Sequence, residues 1–236
     1  MLAAMLEVDL TRDWQDCLVA CDASDVLGFG VSVMPCDTGT LKRLGCRGLK
    51  RDAYVRLDRS QPGEHDEDER PREGTLLQMP FSKSAFKTVI SSKRRFDGHS
   101  GALEAHGVAL ALKWLLRAPK RHSRRTVVLI DAQAVLGATA KGRSSAPTLR
   151  REVRHISALL LAGDLLYEPV YIPSEDNPAD APSRGLAKRR SDMVRKGVIK
   201  PRSIKQDRCR LSRGGAKRAA NLALASRCSR MLMNFL

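Results

Sequence analysis

Apolar and polar positions alternate along the chain in short blocks, and the periods of those blocks predict strands and helices separated by charged turns. Residues 16–22 form an apolar run that ends in an acid, Asp22. A polar turn follows at Ala23, Ser24 and Asp25, and then residues 27–34 alternate small and apolar side chains. Two such runs joined by a polar turn predict a β-hairpin. Its glycines, Gly28 and Gly30, suit a backbone that must lie close to something bulky. Cys17 and Cys21 share one face of the first strand as small core residues. Residues 36–80 lack a clean period and are expected to be an insertion in the domain, partly disordered; within them 59–74, a charged run with Pro62, Pro71 and an acidic cluster, is expected to be a mobile loop. One further strand is expected within 76–89.

Ala105, Val108, Ala109, Leu112, Leu115 and Leu116 recur at helical spacing. They predict a helix over 100–117, with Ser100 as its N-cap and Pro119 beyond its end. Glu104 falls in its first turn, in line with Val108, Ala111 and Leu115, so it should face the protein. Residues 126–131 are the strongest strand: an unbroken apolar run ending in Asp131, as expected for a central strand covered on both faces. A short helix over 132–140, an amphipathic helix over 147–162 ended by Gly163, and a strand over 165–172 follow. The last strand leads into a polar turn that reaches Arg184, and a terminal helix is expected over 219–233. Strands, helix, strand, helices, strand is the order of an α/β fold with a sheet of both orientations.

The 236 residues suffice for one ordinary domain with extensions: 1–14 before it, 15–185 as the domain, and 186–236 after it. Apolar residues make up 42% and aromatics only 4%, so the core should be aliphatic. The net charge of +16 is uneven: residues 186–236 hold 15 Lys or Arg against two acids. A nearly neutral body with a cationic tail suggests a polyanionic partner, most often nucleic acid; a merely solvated tail is the plain alternative. The six cysteines include no Cys-x-x-Cys pair, which indicates a reducing compartment. The N-terminus is a poor secretory signal, and no apolar run approaches the ~20 residues of a membrane span. The expected location is intracellular, nuclear or cytoplasmic, away from membranes.

Four acids stand out by position. Asp22 and Asp131 end apolar strands, Glu104 opens a core helix, and Asp180 lies just past the last strand. Strand ends and helix starts are where an α/β sheet presents its ligand crevice. Clustered carboxylates repel and raise one another's pKa, and divalent cations relieve that cost. Hard oxygen ligands favour Mg²⁺ or Mn²⁺. Two such ions about 4 Å apart activate a water and stabilise the leaving oxygen of a phosphodiester. Each acid also has a plain structural role open to it, as a turn residue or as a favourable charge at a helix N-terminus, and periodicity does not separate the two.

The motifs carry a resemblance. Val19-Ala20-Cys21-Asp22-Ala23-Ser24 with Gly28-Phe29-Gly30 resembles the opening hairpin of a type 1 ribonuclease H domain. Residues 104–112 resemble its glutamate helix, and Val128-Leu129-Ile130-Asp131-Ala132-Gln133 its third acidic segment. Asn177-Pro178-Ala179-Asp180-Ala181-Pro182-Ser183-Arg184 is similar to the ending of retrotransposon, reverse-transcriptase-linked members. The resemblance covers roughly 15–185. It implies an α/β, ribonuclease H-like mixed sheet flanked by helices, with an inserted loop and a basic C-terminal tail. It further implies that Asp22, Glu104, Asp131 and Asp180 are catalytic metal ligands for two Mg²⁺ ions (or Mn²⁺), and that the substrate is the RNA strand of an RNA–DNA hybrid. The hybrid's minor groove shows 2′-hydroxyls on one strand only. Ser24, Gln133 and Asn177 are candidates to contact its sugars, and Arg184 and the tail to hold phosphates.

Two departures stand beside the resemblance. The gap from Asp22 to Glu104 is long for the family, and the turn at 174–179 has no histidine near the last acid. The chain holds no polymerase Asp-Asp motif, so a reverse transcriptase is expected as a possible partner in a parent polyprotein. The alternative to an enzyme is a catalytically inactive ribonuclease H-like module that only binds nucleic acid or packs in an assembly. An integrase or transposase nuclease is a third option, against which the Ala-Asp-x-x-Ser-Arg ending argues.

Overall fold

The computed structural model describes residues 9, 11–48, 53–58 and 75–186; the expected basic tail and terminal helix lie outside them. Seven strands form one mixed sheet: β1 (Cys17–Ala23), β2 (Gly28–Pro35), β3 (Ala53–Arg56), β4 (Thr75–Gln78), β5 (Lys87–Lys93), β6 (Arg125–Ile130) and β7 (Leu166–Tyr171), in the order β4-β3-β7-β6-β1-β2-β5. β1 pairs antiparallel with β2, and β2 with β5. Every other pairing is parallel: β1 with β6, β6 with β7, β7 with β3, and β3 with β4. The carboxyl ends of β1, β6, β7 and β3 therefore lie at one end of the sheet.

The helices are α1 (Thr38–Gly48), α2 (Ser100–Leu116), α3 (Gln133–Lys141), α4 (Pro147–Gly163) and the short α5 (Asp180–Ser183). Because successive strand residues point to opposite faces, β1 feeds two cores. Cys17, Val19 and Cys21 pack on one face with Val31, Val128 and Ile130, under Val108, Leu112 and Leu115 of α2 and Ile156 of α4. Leu18 and Ala20 pack on the other with Leu129, Val170 and Ile172, under Leu41 and Leu44 of α1. This double covering is why residues 127–130 show no polar interruption.

The insertion expected over 36–80 contains a helix and two strands. Residues 38–48 form α1, and 53–56 and 75–78 add two strands to the sheet edge beyond β7; residues 59–74 lie outside the described residues. Leu41, Leu44, Val55 and Leu57 are essentially fully buried there. At roughly 1.5–3 kcal/mol for each such side chain, their burial holds these elements in the fold despite the basic residues between them. The strand expected within 76–89 resolves into β4 and β5, separated by a 3-10 turn at Lys83–Ala85.

Helix ends also move. The N-cap of α2 is His99, whose Nδ1 accepts a hydrogen bond from the Gly101 N–H at 3.2 Å, and Ser100 is already helical. The left-handed residue ending α4 is Asp164 (φ 52°), one past the expected Gly163. No helix among the described residues is long and apolar enough to cross a membrane.

Candidate metal centre

Strand β1 delivers Asp22 one residue before its end, and Asp22 is 5% exposed. Parallel pairing of β1 with β6 brings Asp131, the residue after β6, to the same end of the sheet. Glu104 arrives from α2, on the second turn rather than the first. Gly107, one turn further on, lies over the same strand end: a Cβ there would stand 3.4 Å from the Asp22 carbonyl oxygen, an ordinary contact distance. The Ala23 N–H donates to Glu104 Oε2 at 3.2 Å, which fixes the carboxylate over the strand end. One carboxylate oxygen from each of Asp22, Glu104 and Asp131 lies within 4.8 Å of the others, the one such group among the described residues.

Asp180 stands beside this group, outside the 4.8 Å set. It opens α5, and its Oδ1 accepts a hydrogen bond from Arg184 Nε at 2.8 Å. Ser183 links the two acids, with its Oγ against both Asp22 Oδ2 and the Asp180 carbonyl oxygen. The turn is anchored along its length. Asn177 Nδ2 donates to the Cys21 carbonyl (3.1 Å), Ser32 Oγ to that of Pro178 (3.0 Å), and Ser91 Oγ to that of Pro182 (2.9 Å). Gly30 is the seat of the turn, since a Cβ at that position would overlap the Ala179 carbonyl oxygen and the Ser183 nitrogen.

The electrostatics follow from burial and crowding. Burial pushes the Glu104 carboxyl up to about 9, with the charges of Asp22 and Asp131 adding to the rise and the Ala23 N–H partly offsetting it. Burial likewise pushes Asp22 up to about 7; the Ser183 hydroxyl opposes the rise, and the charges of Asp131 and Asp180 add to it. Three convergent hard oxygen donors with this mutual repulsion fit a divalent cation such as Mg²⁺ or Mn²⁺. Cys21 lies in the apolar core under α2, its Sγ toward the Leu129 carbonyl, and burial, with the charges of Glu104, Asp131 and Asp22, keeps its thiol protonated by pushing its pKa well up.

The expected nucleic-acid contacts divide. Gln133 is exposed on the first turn of α3, two residues past Asp131. It opens a groove of about 700 Å³ along α3, floored by Ala134, Gly137 and Ala138 and ending at Lys141 and Arg143. Arg184 is exposed. Ser24 caps its own turn, its Oγ accepting from the Val26 N–H at 3.1 Å. Asn177 is corrected from a sugar contact to an internal strut: it is 1% exposed, and its Oδ1 accepts from the Ala179 N–H at 3.0 Å while its Nδ2 holds β1. Ser183 and Ser32 carry structural work at the site that sequence reading did not assign.

Among solved structures, ribonuclease H1 from the halophilic archaeon Halobacterium salinarum NRC-1 matches with a TM-score of 0.39 and 13% identity, over 72% of this chain and 94% of that one. No family model and no curated protein matches the chain.

Proposed function

We propose that the chain is a metal-dependent endonuclease that hydrolyses the RNA strand of an RNA–DNA hybrid. The observation that carries the proposal is the convergence of Asp22, Glu104 and Asp131, brought together from three elements with two of their carboxyls held well above the ordinary range. Asp22, Glu104 and Asp131 would hold Mg²⁺ or Mn²⁺, with Asp180 beside them as the fourth ligand. Bound there, two ions supply an activated water and charge stabilisation for the leaving oxygen of a phosphodiester. The chain's own residues do the rest. Ser183 and the Ala23 N–H orient Asp22 and Glu104. Gln133 meets the substrate beside Asp131, and the groove along α3 takes a phosphodiester backbone toward Lys141 and Arg143. Discrimination for the hybrid would come from its groove shape and 2′-hydroxyls. The Asn177–Arg184 motif supports a retroelement origin, with a reverse transcriptase as a partner.

A second reading draws on one observation, the engagement of Asp180 by Arg184 outside the three-carboxylate set. On that reading the domain binds hybrids without cutting them. A labelled RNA–DNA hybrid, incubated with and without Mg²⁺, separates the two. Cleavage that requires Mg²⁺ and vanishes in Asp131→Asn supports the nuclease. Binding without cleavage at any Mg²⁺ or Mn²⁺ concentration supports the idle module. Cleavage indifferent to Asp131→Asn removes the mechanism.

A further inference from the structure

The strand β3 belongs to the segment inserted between the hairpin and α2, yet its last residue reaches the turn that carries Asp180. Arg56 Nη2 lies 3.7 Å from Glu175 Oε1, and Arg56 Nε lies 3.8 Å from Asp176 Oδ2. Glu175 and Asp176 form the 3-10 turn Ser174–Asp176 that follows β7. The Asp176 side chain is fully buried and that of Arg56 is 14% exposed. A carboxylate taken wholly out of water needs a charged or hydrogen-bonding partner held in place. β3 holds one: the Arg56 carbonyl accepts from the Met79 N–H at 2.9 Å, which ties the strand end to the segment after β4.

The next residue, Asn177, bonds to Cys21 on β1, and Asp180 follows three residues later. In the order β3-β7-β6-β1, Arg56 and Asp22 stand three inter-strand gaps apart, roughly 14 Å. Residues 175–177 sit within that width: Asn177 is pinned to β1, and the Arg56 side chain reaches from β3 to Glu175 and Asp176. We infer that Arg56 is a positioning residue for the metal centre: by pairing with Glu175 and Asp176, the inserted strand holds the Asp180-bearing turn against Asp22. The inference rests on the proposed metal site for its functional meaning, and the contact itself is independent of it.

The test uses the full chain and the metal alone. Mg²⁺ and Mn²⁺ are titrated by calorimetry into the wild type, Arg56→Ala, Arg56→Lys and the milder Glu175→Gln, and hydrogen exchange of residues 177–184 is followed without metal. Arg56→Ala should weaken binding of the weaker ion about tenfold, as loss of an outer-shell partner does, and should raise exchange in 177–184. Arg56→Lys should restore most of both, and Glu175→Gln should move both slightly in the same direction. Should Arg56→Ala fail to fold, Glu175→Gln decides. Wild-type exchange and wild-type affinity in Arg56→Ala, or in Glu175→Gln where Arg56→Ala does not fold, overturn the inference. If the wild type binds neither ion, the nuclease proposal falls, while the exchange measurement still decides whether Arg56 holds the turn.

Discussion

Glu104 and His106 stand two residues apart on α2 and look into opposite electrostatic surroundings. Glu104 joins two other acids, and the described contacts bring it a backbone N–H but no cation. His106 joins a mixed set: its Nδ1 lies 3.2 Å from Glu152 Oε2, and His155 Nδ1 lies 3.8 Å from the same oxygen. The rings of Phe29 and Phe96 close over His106, with centroids 5.0 and 5.1 Å away. The second cluster surrounds its one acid with two imidazoles and serves as a clasp between α2 and α4. The first is one-signed: burial pushes Asp22 up to about 7 and Glu104 up to about 9, and the neighbouring acids add to the rise. A folded protein that keeps such repulsion has a use for a cation from outside. Charge balance, more than the number of ionisable groups, separates a site from a clasp.

Asp131 separates the two clusters by the widest margin. Asp131→Asn should lower Mg²⁺-dependent hybrid cleavage by about a thousandfold or more, since a metal ligand is worth several kcal/mol to the transition state. The same variant should melt no lower than wild type without metal, because it removes one of the repelling charges. Single-turnover cleavage and a melting curve check the two halves, and a large loss of stability would place Asp131 in the structural class instead.

Acidity gives the next largest effect. In the folded state Glu104 and Asp22 keep their protons far above their ordinary values of 4.5 and 3.8. The folded chain thus binds more protons than the unfolded one, so stability falls as pH rises. The contribution is fully present below those ordinary values and is lost as pH climbs through about 7 and then about 9. Mg²⁺ favours the ionised carboxylates and should restore the melting temperature most at the alkaline end. Melting curves across pH with and without Mg²⁺ would show parallel lines if the acids did not share an ion.

Smaller changes sharpen the contrast. Glu152→Gln should cost about 1 kcal/mol of stability by weakening the helix clasp while leaving cleavage unchanged. Ser183→Ala removes a hydroxyl that favours the ionised form of Asp22, so Mg²⁺ binding near neutral pH should weaken by about threefold, read by calorimetry.

Much of this was legible because burial on both faces leaves a simple trace. Residues 127–130 admit no polar side chain, and the run from Cys17 to Asp22 shows where apolar strand gives way to site. The α2 stripe from Ala105 to Leu116 is equally direct. The inserted elements were not legible for a physical reason: β3 and β4 span four residues each, too few to establish a period, and α1 mixes Lys42 and Arg43 with Leu41 and Leu44. The turn shows a different limit. A sequence marks Asn177, Ser183 and Arg184 as polar, but only three-dimensional packing sorts the buried strut and hydroxyl from the exposed guanidinium.

Gly30 gives the fold an unusual kind of linkage. The space a side chain would fill on β2 is already occupied by the backbone of residues 179–183. Strand and turn are far apart along the chain but belong to one heritable module. A chimaera that exchanged the C-terminal turn for a bulkier one while keeping this hairpin would inherit a collision at its joint, so recombination should respect the pair as a single cassette.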